Sequence, residues 1–301
     1  MQKGDNMDAV KCEAFLTAVD RGSFTAAAET LGYTQSGITR MINALESELG
    51  FPLFVRQKKG VVLTENGKTM LPAIRDIVRS NRRAEEMGLD IQGVVKGTLT
   101  IGSYFSVSSM WMPLILKKFE EKYPMIKTYV IEGGNKELTR RLNEKSVDLC
   151  FCGEPSKTAN CDWIPLYKDR MVAWLPADHP KASNKTFKIA DLEKYPFIHT
   201  FPNQDSDQDR LIESENLTLN ERYSTKDAFT TYNMVEAGLG ISFEQQLISK
   251  KWRENINVVE VPLSPARYVN IGLAVPSLKD ASPVAKRFIE RVKDIFIHDI
   301  L

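Results

Sequence analysis

Ile38, Ile42, Leu45 and Leu49 recur at the three- and four-residue spacing of one helical face. The spacing leaves Gln35, Ser36, Thr39, Arg40 and Asn43 together on the opposite side. A shorter helix precedes this one. Ser23 is placed to cap it, Ala26, Ala27 and Ala28 favour it and allow close packing, and Gly32 after Leu31 supplies a left-handed stop. Thr34 then caps the second helix. Further on, Leu71, Ile74, Ile77, Val78, Ala84 and Met87 form an apolar stripe on a helix predicted from Thr64 to about Gly88. Arg75, Arg79, Arg82, Arg83, Glu85 and Glu86 occupy the rest of it. The stripe must be covered by its own chain or by a second copy, and Pro72 inside it predicts a kink near its start.

After the two glycines of LDIQGVVKG the pattern changes to short apolar runs alternating with helical periods. LTIGS at 99 to 103, IKTYVIEGG at 126 to 134 and VDLCFC read as strands, with helices over 107 to 123 and 136 to 145 between them. Such alternation predicts a mostly parallel α/β sheet. A second run follows, with MVAWL, PFIHTF, RYSTK and GISF as strands and helical segments near 188 to 194, 207 to 215 and 227 to 237. The chain then returns through 258 to 262 and 267 to 275 and closes with a helix over 283 to 298. The result is two α/β lobes joined by two crossings.

A chain of 301 residues with 43% hydrophobic and 26% charged residues has room for two or three domains and no signature of disorder. No apolar run is long enough for a bilayer, and the start MQKGDNMDAVKCEAF carries no signal-peptide pattern, which predicts a cytoplasmic protein without a membrane partner. The net charge of +1 does not announce a nucleic-acid partner. Affinity for phosphates rests on local bases, however, and Arg40, Arg56, Lys58, Lys59 and Lys68 supply them.

Catalytic and metal chemistry find little support. Cys12, Cys150, Cys152 and Cys161 contain no C-x-x-C pair, and the alternation of Cys150 and Cys152 on a strand points them to opposite faces. They read as small buried residues, with a redox pair of Cys152 and Cys161 as the sharper alternative. Asp205, Asp207 and Asp209 imitate the start of a calcium loop, but Arg210 stands where the glycine is required, so a solvated helix start is the better reading. His179, His199 and His298 are scattered, and neither G-x-S-x-G nor a phosphate loop is present. No metal, cofactor or enzymatic activity is expected.

The polar face of the second helix does carry chemistry. Arg donates to guanine, Gln and Asn pair with adenine, and a threonine methyl meets a thymine methyl. Phe51-Pro52-Leu53-Phe54 ends the helical pair, and Arg56, Lys58, Lys59 and Gly60 lead into Val61-Val62-Leu63 as a short wing. In the phrases GSFTAAAETLGYTQSGITRMINALESELGFPLFVR and LTENGKTMLP, residues 7 to 72 resemble the winged helix-turn-helix of LysR-type transcriptional regulators. Gly37 departs from that family, which more often has proline or another small residue there; glycine costs roughly 1 kcal/mol of helix propensity. The first six residues read as an extension or the product of an upstream start codon, with no fold expected.

The resemblance extends more loosely over the rest of the chain, whose two lobes are similar to the family's periplasmic-binding-protein-like effector domain. It implies an α/β fold with an N-terminal winged helix-turn-helix at 7–64, a linker dimerisation helix at 65–92 and an effector domain at 93–301. Lobe I would comprise 93–166 and 267–301, and lobe II 167–266. The DNA-binding residues would be Gln35, Ser36, Thr39, Arg40, Asn43, Arg56 and Lys58, acting on an interrupted palindromic operator. The linker stripe, Ile74 included, would form the seam of an antiparallel homodimer, with a homotetramer and RNA polymerase as further partners. The peroxide-sensing members of the family carry paired cysteines in the segment corresponding to residues 199 to 215, which here has none.

In such lobes a ligand sits at strand ends and helix N-termini. Ser103, at the pocket mouth, and Ser106 would help hold a small carboxylate effector against the apolar wall of Tyr104 and Phe105. Glu132, Cys152, Thr200, Phe201 and Lys226 lie at the other strand ends. Lys226 would neutralise an anionic effector, whereas Glu132 faces a ligand amine. A solute-binding protein would account only for the second half, and an enzyme on the same lobes would need a catalytic constellation that the chain does not present.

Overall fold

The computed structural model describes residues 7–58, 60–156, 159–250, 252 and 257–300. Lys59 and the first six residues lie outside them. Two compact units emerge, Met1–Val94 with Asn143–Ser146, and Val95–Leu142 with Val147–Leu301.

The first unit opens with α1 (Ala9–Arg21), whose N-terminus Asp8 caps by accepting the Lys11 N–H at 2.8 Å. Next come α2 (Phe24–Leu31) and α3 (Gln35–Leu49), capped by Ser23 and Thr34, with Gly32 in the left-handed region at φ 72° between them. Phe15, Ile38, Ile42, Leu45 and Leu53 are fully buried, each worth roughly 1.5 to 3 kcal/mol of transfer free energy. Phe54 sits over them, 5.1 Å from the Phe15 ring and edge-on to Phe24 at 5.3 Å. β1 (Phe54–Gln57) and β2 (Gly60–Leu63) form the antiparallel wing. The Gly22 carbonyl accepts the Val61 N–H at 2.9 Å and would lie 2.2 Å from any Cβ on Gly60, so glycine is required there.

Helix α4 (Glu65–Ile91) runs unbroken through Pro72. Its stripe is split. Ile74 has no exposed surface and belongs to the core of α1 to α3, with Leu71, Ile77 and Val78 packed against the same cluster. The expectation that Ile74 lies in a seam between copies is therefore corrected: its own chain covers it. Ala84, Met87 and Ile91, three and four residues apart, are exposed instead, Ile91 by 87%.

The second unit alternates β3 (Gly97–Ser103), α5 (Phe105–Met110), α6 (Met112–Lys122), β4 (Ile126–Glu132), α7 (Asn135–Asn143) and β5 (Leu149–Gly153). Pro113 divides the helix expected over 107 to 123, because it supplies no N–H and is tolerated only in a first turn, here that of α6. Then comes β6 (Asp162–Pro176), a single 15-residue strand. The second lobe adds β7 (Phe187–Lys188), β8 (Pro196–Thr200), α8 (Asp207–Ser214), β9 (Asn220–Thr225), α9 (Ala228–Glu236), β10 (Ser242–Gln245) and α10 (Gln246–Ser249). The chain returns through β11 (Val258–Ser264) and β12 (Tyr268–Val275) to α11 (Pro283–Ile295).

The main sheet runs β4-β3-β5-β12-β6-β11-β7, with β10 also on β6. It is parallel among β4, β3 and β5 but antiparallel around β12, β6, β10 and β11, so the sheet is more mixed than the alternation predicted. The first part of β6 pairs with β12 through Arg170, and the remainder, from Met171, pairs with β10 and β11. One strand therefore serves both lobes. The other crossing, from β11 to β12, lies beside it, with the Met171 N–H donating to the Arg267 carbonyl at 2.9 Å.

Candidate functional site

On the first unit, α3 turns Gln35, Ser36, Thr39, Arg40 and Asn43 outward, and with Arg56 from β1 they line one open concavity. Thr34 starts the helix by accepting the Gly37 N–H at 3.1 Å and pairs with the Ser36 hydroxyl at 3.1 Å, while Gln35 donates to Thr39 at 3.3 Å. Those bonds fix the first turn, where glycine costs helix propensity. Arg56 is steered by the Phe24 ring, 5.6 Å from its guanidinium carbon. The wing is fastened to α3 by Glu46, which accepts the N–H groups of Leu53 at 2.6 Å and Phe54 at 3.0 Å. Lys58 is exposed at the wing tip and does not line the concavity.

In the second unit a cleft of about 660 Å³ opens at the ends of β3, β4, β8, β9 and β10. Six of the eight expected effector residues line it, namely Tyr104, Ser106, Glu132, Thr200, Phe201 and Lys226. Ser103 and Cys152 do not. Ser103 is fully buried and its hydroxyl donates to the Tyr104 carbonyl at 3.1 Å, so it sits behind the wall of the cleft and not at its mouth. Cys152 is buried within β5, and burial pushes its thiol up to about 12. Burial raises Cys150 and Cys161 as well, which disfavours the thiolate form in all three.

The hydroxyls expected to hold a carboxylate are committed within the protein. Ser106 donates to Gln245 at 3.1 Å, and Tyr104 donates to Asn135. Asn135 in turn donates to the Asp205 carbonyl at 2.7 Å. The deeper floor is built around Gln208, a buried amide whose oxygen accepts the Thr200 N–H at 2.8 Å. Its nitrogen lies 2.7 Å from the Phe243 carbonyl and 3.0 Å from both Ser242 and Glu244. Two N–H hydrogens cannot serve three such acceptors at once.

Two carboxyls of the cleft are strongly perturbed. Burial raises Asp207 to about 6 against the pull of its bond from Gln245 and of Arg210. Glu244 reaches about 8, again chiefly through burial, with Asp207 adding to the shift. Neither residue was expected in the cleft. Asp207 belongs to the run read as a solvated helix start; only its neighbours behave so, Asp209 completing a capping box with Ser206 and Asp205 pairing with Arg210 at 2.7 Å. Asn135, Gln208, Glu244 and Gln245 escaped notice because they sit inside strands or first turns, without motif spacing. Among the described residues no group of His, Cys, Asp or Glu is arranged to hold a metal ion, and no helix is long and apolar enough to cross a membrane.

A helix-turn-helix with a wing and a two-lobed α/β domain with a polar cleft define a ligand-responsive transcription regulator as the class of protein. Residues 11–68 match the family model for the bacterial regulatory helix-turn-helix protein, lysR family, and residues 92–296 match the LysR substrate binding domain. The uncharacterized HTH-type transcriptional regulator YvbU of Bacillus subtilis is 31% identical over 96% of this chain and 99% of its own length. The chain belongs to the LysR family of transcriptional regulators. Its fold is also that of a full-length OxyR variant from Pseudomonas aeruginosa, with a TM-score of 0.79 at 19% identity over 97% of this chain and 95% of that one. Full-length CbnR, solved in a complex with its target DNA, gives 0.64 at 21% identity over 96% and 99%.

Proposed function

We propose that this regulator reads DNA with the outward face of α3, steadies itself on phosphates with the wing, and answers to a small molecule held in the cleft of its second unit. The observation that carries the reading is the convergence of Gln35, Ser36, Thr39, Arg40, Asn43 and Arg56 on one open surface beside an exposed wing. These side chains have the donors, acceptors and methyl group that distinguish base pairs in a major groove. The domains are read as 7–64, 65–92 and 93–301, with no reaction assigned to the chain and a place in the cytoplasm beside DNA.

The test starts from DNA selected by the protein out of a random pool. Arg40→Ala is expected to cost about 1 to 3 kcal/mol on the selected sequence and to relax preference at one base position per half-site. Lys58→Ala should weaken selected and random DNA alike and flatten the salt dependence. Retardation assays across a salt series check both, and equal losses on the two DNAs for Arg40→Ala would move the reading face elsewhere.

The exposed end of the linker stripe supports self-association. Ala84, Met87 and Ile91 would bury against their counterparts in a second copy, bringing two recognition helices to an interrupted palindrome. Ile91→Glu is then expected to leave the fold intact and halve the mass seen by light scattering, with tight operator binding lost. An unchanged mass would place the seam elsewhere.

A further inference from the structure

We propose that the cleft selects a small molecule by a protonated amine on an apolar body, and not by a carboxylate alone. The inference rests on the reading of this cleft as the effector site. Its lining sets Glu132, Glu137, Asp207, Asp227 and Glu244 against a single base, Lys226. Glu137 is held by Arg141 at 2.8 Å, and Asp227 caps α9 by accepting the N–H groups of Phe229 and Thr230. That leaves Asp207 and Glu244 inside and Glu132 at the rim.

Lys226 aside, the donors expected to hold an anion are already used. Ser103, Ser106 and Tyr104 all donate within the protein. Arg210, the guanidinium nearest Asp207, forks onto Asp205 at 2.8 and 2.7 Å. The N-terminus of α8 is closed by its capping box. What the cleft has in surplus is acceptors. Gln208 cannot satisfy Phe243, Ser242 and Glu244 together, the Ser242 hydroxyl spends its own hydrogen on the Ile198 carbonyl at 2.8 Å, and the bonds Glu244 draws from the Thr200 side chain and the Gln245 backbone still leave lone pairs of its carboxyl unused. Glu244, 6% exposed, is the acceptor that faces the cavity. Burial holds Glu244 protonated up to about pH 8; an ammonium displaces that proton and brings three donors and a positive charge to the carboxylate, whereas a carboxylate ligand would bring a second negative charge. Phe105, Phe201 and Ile248 supply apolar wall for the rest of the molecule.

The experiment uses the full chain and matched probes, 2-phenylethylamine, 3-phenylpropanoate and 3-phenylpropan-1-ol, followed by ligand-observed NMR titration. The amine should bind, and weaken about tenfold or more in Glu244→Gln, as expected for loss of a charge-assisted bond. Gln is nearly isosteric with the protonated acid, and a thermal melt verifies the fold. Phenylalanine binding at least as well as the amine would identify an amino acid as the source of the ammonium, with Lys226 on its carboxylate. The ligand class is overturned if the acid or alcohol binds as tightly as the amine, if the amine does not bind, or if Glu244→Gln leaves it unchanged. Gly134→Trp separates this from failure of the cleft itself. A Cβ at Gly134 meets only ordinary contacts, the nearest at 3.6 Å, so the indole can fill the opening. Amine binding that persists there overturns the cleft reading, whereas acid binding abolished there overturns only the amine.

Discussion

Ile74→Glu is expected to unfold the N-terminal unit, although its position on a long surface helix suggests a tolerant site. Ile74 has no exposed surface and closes the core formed by Phe15, Ile38, Ile42 and Leu45. Losing an aliphatic side chain of this size costs roughly 2 to 5 kcal/mol, and an unpaired carboxylate in the same place adds its desolvation. Against a stability of about 5 to 15 kcal/mol for a whole domain, that change removes most or all of the margin. Hydrogen exchange should show protection lost across α1 to α3 and the wing, and specific DNA binding should vanish with it. Ile91→Glu supplies the contrast, since the same charge on an exposed position of the same helix should preserve that protection. A protected Ile74→Glu protein that merely changed its oligomeric mass would return Ile74 to the seam between copies.

Acidification should stabilise the second unit, the reverse of what paired carboxylates produce. Glu244 at about 8, and Asp207 and Asp169 at about 6, all stand above the ordinary carboxyl range because burial disfavours their charged forms. Between that ordinary range and these raised values the folded chain keeps protons that the unfolded chain has released, so stability falls as pH rises. The window runs from about pH 5 to pH 8, and Glu244 alone contributes on the order of 3 kcal/mol at about 1.4 kcal/mol per pKa unit. His179, depressed by burial, opposes the trend around its usual range. Asp191, Asp209 and Asp227, held low by their hydrogen bonds, change charge only at more acid pH. Scanning calorimetry should therefore place the transition of this unit higher at pH 5 than at pH 8, and Glu244→Gln should flatten most of the slope. A midpoint that rises with pH in the wild type would show that Glu244 is ionised in the native state.

The contrast between the two sites shows what a one-dimensional pattern can carry. Gln35, Ser36, Thr39, Arg40 and Asn43 come from one helix, so its periodicity specified both the buried and the reading face before any tertiary contact was known. Arg56 was legible because it follows Phe54, the anchor of the wing, by two residues on the same strand. The cleft draws on separate strands and helices, and its decisive acids depend on neighbours distant in sequence. Asp207 is addressed by Gln245 and Glu244 by Gln208, across 38 and 36 residues. Nothing in local spacing distinguishes Glu244 from an ordinary strand glutamate. Ile74 failed for a related reason, since a stripe shows that a face is covered but does not say by which chain. Pro165 interrupts the strand pattern of segment 162 to 170, and the sheet absorbs it with a register shift opposite Ile271 and Gly272.

Strand β6 also bears on how such proteins can diverge. From Met171 on, its side chains alternate between faces in register with β10 and β11, so one inserted residue near Arg170 would turn every later position inside out and strand Trp174 and Val172 on the wrong side of the sheet. Length is therefore frozen along this half of the strand, where the lobes can diverge only by substitution. Insertions and deletions should collect in the connection at 177–186, where the chain has left the ladder and a changed length costs little closure entropy.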